Sequence, residues 1–137
     1  MNKNFETGMV FGVFDGLHEG HQYFLSQAEK ECRELIVVLT RPETTIYFKG
    51  KAPVHTYEKR MADIELFNPK LEIIQGDKTP GAWEVIKEYK PDIIFLGYDQ
   101  EKIAQELKRI NIPHIFISAH FPERYKSRIL NKRIKGN

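Results

Sequence analysis

Five short apolar runs, Met9–Phe14, Leu35–Thr40, Leu71–Gln75, Asp92–Leu96 and His114–Ser118, constrain the fold of this chain most sharply. Four are rich in Ile and Val, and their apolar residues are continuous rather than alternating. A strand with one wet face alternates apolar and polar side chains. A continuous run suits a strand covered on both faces, as in a parallel sheet. Helical patterns lie between the runs. Gln22–Leu35 carries Leu25, Ala28, Cys32 and Leu35 at three- and four-residue spacing, an apolar stripe that places Cys32 on the first helix. Thr56–Phe67 opens like a capping box, with Glu58 one position early. Pro80–Tyr89, Gln100–Arg109 and Glu123–Ile134 complete the helices. Strand–helix order, repeated, predicts an α/β chain with a doubly wound five-stranded parallel sheet and helices on both faces. No linker, repeat or low-complexity segment divides the 137 residues, so residues 1–137 are expected to form a single domain.

Composition excludes several classes. The apolar runs are far shorter than the roughly 18 residues of a membrane span. Met1–Thr7 is polar and lacks the apolar core of a signal peptide. With one cysteine the chain has no internal disulfide, which fits a reducing, cytoplasmic location. A net charge of +2 is too weak to argue for nucleic acid. A basic stretch, Arg124–Lys135, suggests RNA, but with Ile129 and Ile134 along one side it reads as a solvated helix face.

The chemistry concentrates in Gly12–His21, G-V-F-D-G-L-H-E-G-H, which runs from the first strand into the first helix. In an open parallel sheet, ligands bind beyond the carboxyl ends of the strands. Glycines there admit a phosphate close to the backbone, and a helix N-terminus supplies unpaired N–H groups and a positive dipole. His18 and His21 are three apart, so on the first helical turn both can face one pocket. Two imidazoles on one anion point to charge stabilisation rather than nucleophilic attack. A two-histidine metal site lacks a third ligand at a convincing spacing. A tight glycine turn or incidental surface histidines would not explain Gly12, Asp15, His18, Gly20 and His21 together after a buried strand. There is no P-loop.

The pattern G-x-F-D-x-L-H-x-G-H resembles the signature of cytidylyltransferase-like nucleotidyltransferases, whose sheet is Rossmann-like. The resemblance implies that His18 and His21 contact the nucleotide phosphates and stabilise the pentacovalent transition state. It implies nucleotide binding by Gly12, Val13, Phe14, Asp15 and Gly20, with Val13 standing where most small members have Thr. Asp15 would orient the histidines or hold a metal through water. Lys49-Gly50-Lys51, in a loop after the second strand that also holds Arg41, suits neutralisation of a polyphosphate or simple solvation. Lys49–Arg60 is similar to the matching segment of glycerol-3-phosphate cytidylyltransferases. That similarity adds Lys49 as a catalytic lysine and Lys51 and Arg60 as substrate-phosphate contacts; an arginine on an amphipathic helix is otherwise expected at the surface.

Pro91–Gln100 is close to the matching segment of archaeal FAD synthetases, which sets Gly97 and Asp99 near the ribose and base. Asp99 is also expected to cap the following helix. Ser127 and Arg128 match the family's triphosphate-binding helix, whereas Tyr125 and Lys126 replace small hydroxyl residues. The resemblance implies transfer of a nucleoside monophosphate from ATP or CTP to a phosphorylated small molecule, with Mg²⁺ and release of pyrophosphate. FMN as acceptor of AMP is favoured, and CTP with glycerol 3-phosphate is the alternative. A non-catalytic nucleotide-binding domain is a third reading, prompted by Tyr125 and Lys126. Neither nucleic acid nor membrane is an expected partner, and relatives of this kind are often homodimers. Phe48, Tyr47 and Tyr98 are candidates to line a flavin slot. His55, His114 and His120 read as isolated, and Trp83 as a core residue.

Overall fold

Beyond the first strand the chain switches direction across the sheet, and that switch positions everything that follows. The computed structural model describes residues 3–117. Ten elements follow in order: β1 (Phe5–Gly12), α1 (Glu19–Glu31), β2 (Cys32–Leu39), α2 (Pro42–Lys49), α3 (Tyr57–Phe67), β3 (Glu72–Gln75), α4 (Glu84–Tyr89), β4 (Ile93–Leu96), α5 (Glu101–Arg109) and β5 (His114–Phe116). All strand pairs are parallel, and the five-stranded sheet has the order β3-β2-β1-β4-β5. The chain grows outward from β1 through β2 and β3, then returns to the other side of β1 with β4. The crevice between β1 and β4 at their carboxyl ends is therefore the topological switch point, where open α/β sheets bind ligands.

Successive side chains along a strand point to opposite faces, and here both faces are dry. Val10, Val37, Leu39, Ile93 and Phe95 meet Leu25 and Ala28 of α1 and Ile64 of α3 on one face. On the other, Met9, Phe11, Ile36, Val38, Ile94 and Leu96 meet Val85 and Ile86 of α4 and Ala104 and Leu107 of α5. This double cover is why the runs are continuous. Each fully buried Leu or Ile contributes about 1.5–3 kcal/mol. The doubly wound sheet expected from the sequence is the one observed.

Three local expectations change. Cys32 is not on α1 but opens β2, where it pairs with Phe5; it is still buried, and burial pushes its thiol up to about 11. Residues 42–49, expected as loop, form α2: Pro42 stands at its start, and Gly50 ends it at φ 80°, a left-handed conformation that favours glycine. Asp99 does not cap α5; Gln100 is the N-cap residue and makes no side-chain capping bond. The expected Thr56 cap is present, its hydroxyl accepting the Lys59 N–H at 3.1 Å. Among the described residues no helix is long and apolar enough to cross a membrane. Glu123–Ile134, Ser127, Arg128, Tyr125, Lys126, the Arg124–Lys135 stretch and His120 lie outside the described residues.

Candidate functional site

His18 is the N-cap residue of α1, a position where side chains that accept hydrogen bonds are favoured. Its Nδ1 accepts the backbone N–H of Gly20 at 3.1 Å and of His21 at 3.4 Å. An accepting Nδ1 leaves the proton of the neutral ring on Nε2, the donor available to a ligand. Gly20 permits this fold-back, since a Cβ there would sit 3.1 Å from His18 Cε1. The His21 ring stacks on His18, centroids 3.7 Å apart and 19° from parallel, and packs edge-on against Phe14 at 5.5 Å. Phe14 and Leu17 take left-handed backbone conformations, φ 49° and 36°, uncommon outside glycine and Asn. The β1–α1 turn is thus bent to hold two imidazoles face to face over a helix N-terminus.

Burial, and next the neighbouring His18, push the His21 imidazole down to about 4. Its Nδ1 is buried without a hydrogen-bond partner among the described residues. At neutral pH, His21 in the free protein is therefore uncharged. Between about 4 and the ordinary value of 6.5, the unfolded chain holds the proton that folded His21 refuses. Stability contributed by this group is accordingly complete above 6.5 and is lost as pH falls towards 4. An NMR titration of the His21 Cε1–H is expected to show a midpoint near 4 and an upward shift when a nucleoside triphosphate is added. A midpoint at 6–7 in the free protein would contradict the stacked, desolvated pair.

A cleft of about 590 Å³ opens above this pair at the switch point. It brings together Gly12, Val13, Phe14, Asp15, His18, Gly20, His21, Lys49, Lys51, Gly97 and Asp99 from three separate stretches of chain. Lys49 is the last residue of α2 rather than part of a loop, so a helix end aims it into the cleft. Charge from Lys49 and Asp99 is felt at His21, in opposite senses.

Two candidates stand differently from expectation. Arg60 is neither a surface arginine nor on the cleft wall: it is 0% exposed. Its Nε donates to His55 O at 3.1 Å, and its Nη1 to Val13 O at 3.2 Å and Thr40 O at 2.9 Å. The guanidinium donates to carbonyls just past the ends of β1 and β2 and in the loop before α3, while its Nη2 is buried without a partner among the described residues. A substrate-phosphate contact gives way to a structural clamp. Asp15, for its part, accepts from Val54 N (2.7 Å), His55 N (3.0 Å) and the His55 ring Nδ1 (2.7 Å). Burial pushes its carboxyl up, but the bonds from Val54 and His55 outweigh it and hold the group below the usual carboxylate value. Asp15 therefore anchors the loop before α3 and, among the described residues, makes no hydrogen bond to the histidine pair. Asp15→Asn is expected to lower stability by about 1–2 kcal/mol, read from thermal unfolding at pH 7, because an amide cannot accept all three donors.

Sequence reading missed two residues. His55, isolated in the sequence, is the partner of Asp15, 40 positions away. Gln100 ties the switch point together: its Oε1 accepts Gly97 N at 2.9 Å and its Nε2 donates to Phe11 O at 2.7 Å. A long polar side chain just past a buried strand was the available signal. Tyr47, Phe48 and Tyr98 do not share one slot, for Tyr98 lines the histidine cleft, Phe48 a second cleft, and Tyr47 is 70% exposed.

Residues 9–130 match the sequence model of the cytidylyltransferase-like family. The chain belongs to that family. It is 35% identical over 120 residues to the FAD synthase of Thermococcus sibiricus, covering 85% of this chain and 80% of the relative. With the FAD synthase of Pyrococcus abyssi it shares 37% identity over 100 residues, 73% of this chain and 68% of the relative. A solved structure described as a lipopolysaccharide core biosynthesis protein from Thermoplasma volcanium superposes with a TM-score of 0.72 at 32% identity, covering 85% of this chain and 99% of that one. This member of the family is a nucleotidyltransferase, and its G-V-F-D-G-L-H-E-G-H turn stands at the switch point where its fold binds ligands. Nucleotidyltransferases generally use a divalent metal. Among the described residues no three His, Cys, Asp or Glu side chains are arranged to hold one. Asp15 spends both oxygens on the loop, while Asp99 is exposed on the cleft wall. That donor set suits a divalent ion carried in by phosphates with most of its waters.

Proposed function

We propose that this protein is an FAD synthase, transferring AMP from ATP to FMN, with residues 1–137 working as one catalytic domain. The stacked His18–His21 pair at the N-terminus of α1 is the observation that carries the catalytic part of this reading. The FAD synthases that the chain resembles over most of its length support the choice of substrates.

A phosphate oxygen of FMN attacks the α-phosphorus of ATP in line. The new O–P bond forms as the bond to the bridging oxygen breaks, and pyrophosphate leaves with its electron pair. A phosphate monoester is largely dianionic at pH 7, its second pKa being about 6, so no base has to remove a proton. The protein's task is then positioning and charge stabilisation. His18 presents Nε2–H to the equatorial oxygens while its Nδ1 is held by the helix N-terminus. His21, neutral in the free protein, gains affinity for a proton as anionic phosphates approach. Lys49 and Lys51 neutralise the triphosphate from the other wall, and Asp99, beside Gly97, faces the nucleoside. Gly12, Val13, Phe14 and Gly20 give the phosphates access to backbone; Ser127 and Arg128 are assigned to the same nucleotide by their match to the family pattern. Mg²⁺, bound to the phosphates, would supply further charge neutralisation.

Incubation with ATP labelled at the α-phosphorus, FMN and Mg²⁺ tests this reading. Label is expected in a product that co-migrates with FAD, and label remaining in ATP would contradict it. If Tyr125 and Lys126 leave the chain a nucleotide-binding domain without turnover, the label stays in ATP while the protein still binds it.

A further inference from the structure

A second cleft, of about 370 Å³, lies beside the first and shares its rim at Gly12, Val13, Thr45, Lys49, Asp99 and Gln100. Phe11 lines both clefts; with Phe48, Trp83 and Val85, which line the second alone, it forms an apolar wall, and Arg41, Lys49, Asp77, Asp99, Glu101 and Lys102 add charge around it. Phe11 and Trp83 meet edge to face at 5.3 Å. Trp83 is nine-tenths buried, and its indole N–H donates to Glu106 Oε1 at 3.1 Å, so the ring is fixed from behind. Its backbone sits at φ 55°, ψ 34°, a left-handed conformation that is an outlier for so bulky a residue. Strain of this kind persists where surrounding structure over-determines it, and it gathers at ligand clamps. Arg41 is fixed too, its Nε donating to Gly76 O at 2.7 Å. Thr44, also on the wall, has a buried hydroxyl without a partner among the described residues, and rotation about one bond turns it to a ligand.

We propose that this second cleft takes the isoalloxazine ring of FMN, with the ribityl phosphate reaching the shared rim beside Lys49. The assignment rests on the FAD synthase reading above. An acceptor for this chemistry needs its phosphate next to the α-phosphorus and the rest of its body elsewhere, and the two clefts divide along that line. A planar, largely apolar ring with polar edges matches an aromatic wall carrying a fixed guanidinium and one unpaired hydroxyl. Glycerol phosphate, small and polar, would leave that wall without a role. Phe48, on α2, and Trp83, after β3, would then be specificity residues for the acceptor and not for ATP.

FMN fluorescence, titrated in the presence of Mg²⁺ and the α,β-methylene analogue of ATP, reads the site directly. Binding is expected to quench the flavin. Phe48→Ala and Trp83→Phe are each expected to weaken FMN binding about tenfold or more. In steady state the KM for FMN should rise by a similar factor, while the KM for ATP moves less than twofold. Should Trp83→Phe fail to fold, Phe48→Ala, a half-buried position on the surface helix, carries the test. Unchanged FMN affinity in a folded variant of an enzyme that makes FAD would overturn the cleft assignment and leave the function standing. No FMN binding to the wild-type protein would overturn the assignment too; if CTP and glycerol 3-phosphate then react, the function falls with it.

Discussion

His21→Ala and His18→Asn are each expected to lower turnover on the order of 10²–10³-fold, the loss typical of one preorganised donor to a developing oxyanion. The choice of substitution matters. His18 has two duties, since its Nδ1 caps α1 through Gly20 N and His21 N while its Nε2 is offered to the cleft. His18→Ala would mix a capping loss of about 1 kcal/mol with the catalytic one. Asparagine is among the best N-caps, so it restores the helix start and removes only the imidazole. Among the described residues the His21 ring accepts no hydrogen bond at Nδ1, so alanine is informative there. Losing one ring also leaves the other without its stacking partner, and the double variant should fall short of the product of the single effects. Rates of pyrophosphate release, from variants whose thermal unfolding is intact, decide the matter. Folded variants within a few-fold of wild type would contradict the assignment.

Arg60→Ala is expected to destabilise the fold by about 3 kcal/mol or more, although Arg60 lies outside the cleft. Removing it strips donors from the carbonyls of His55, Val13 and Thr40, and each buried, unsatisfied acceptor costs about 1–3 kcal/mol. Those carbonyls belong to the β1–α1 turn, the end of β2 and the loop before α3, so the damage also reaches the histidines' support. Arg60→Lys should recover only part, because an ammonium cannot reproduce a planar fork of donors. Urea unfolding reads this as a lower midpoint at unchanged slope. A loss under about 1 kcal/mol would mean that the three carbonyls find water instead.

Where sequence and structure agree, the physics was local or periodic. Ile36–Leu39 and Ile93–Leu96 are apolar at every position because helices cover both faces. The start of β1 was missed because Phe5, Glu6 and Thr7 straddle the edge of the covered region, where Phe5 and Thr7 hold their register through pairing with Cys32 and Glu34. Helix α2 has a weak apolar stripe and β-branched Thr44, Thr45 and Ile46; its signals were the punctuation, Pro42 and Gly50. The histidine pair was legible because three-residue spacing at a helix start is local geometry. The Asp15–His55 bond, the Gln100 bridge and the Arg60 clamp span long separations, and no pattern along one chain encodes them. Arg60 also reversed the usual rule for charged residues, with three backbone carbonyls accepting from its Nε and Nη1.

The most direct test of the account is pyrophosphate release with Mg²⁺, crossing ATP and CTP against FMN and glycerol 3-phosphate. Release with ATP plus FMN, and with no other pairing, is the predicted result. Release only with CTP plus glycerol 3-phosphate, or none at all from folded protein that binds ATP, would contradict it.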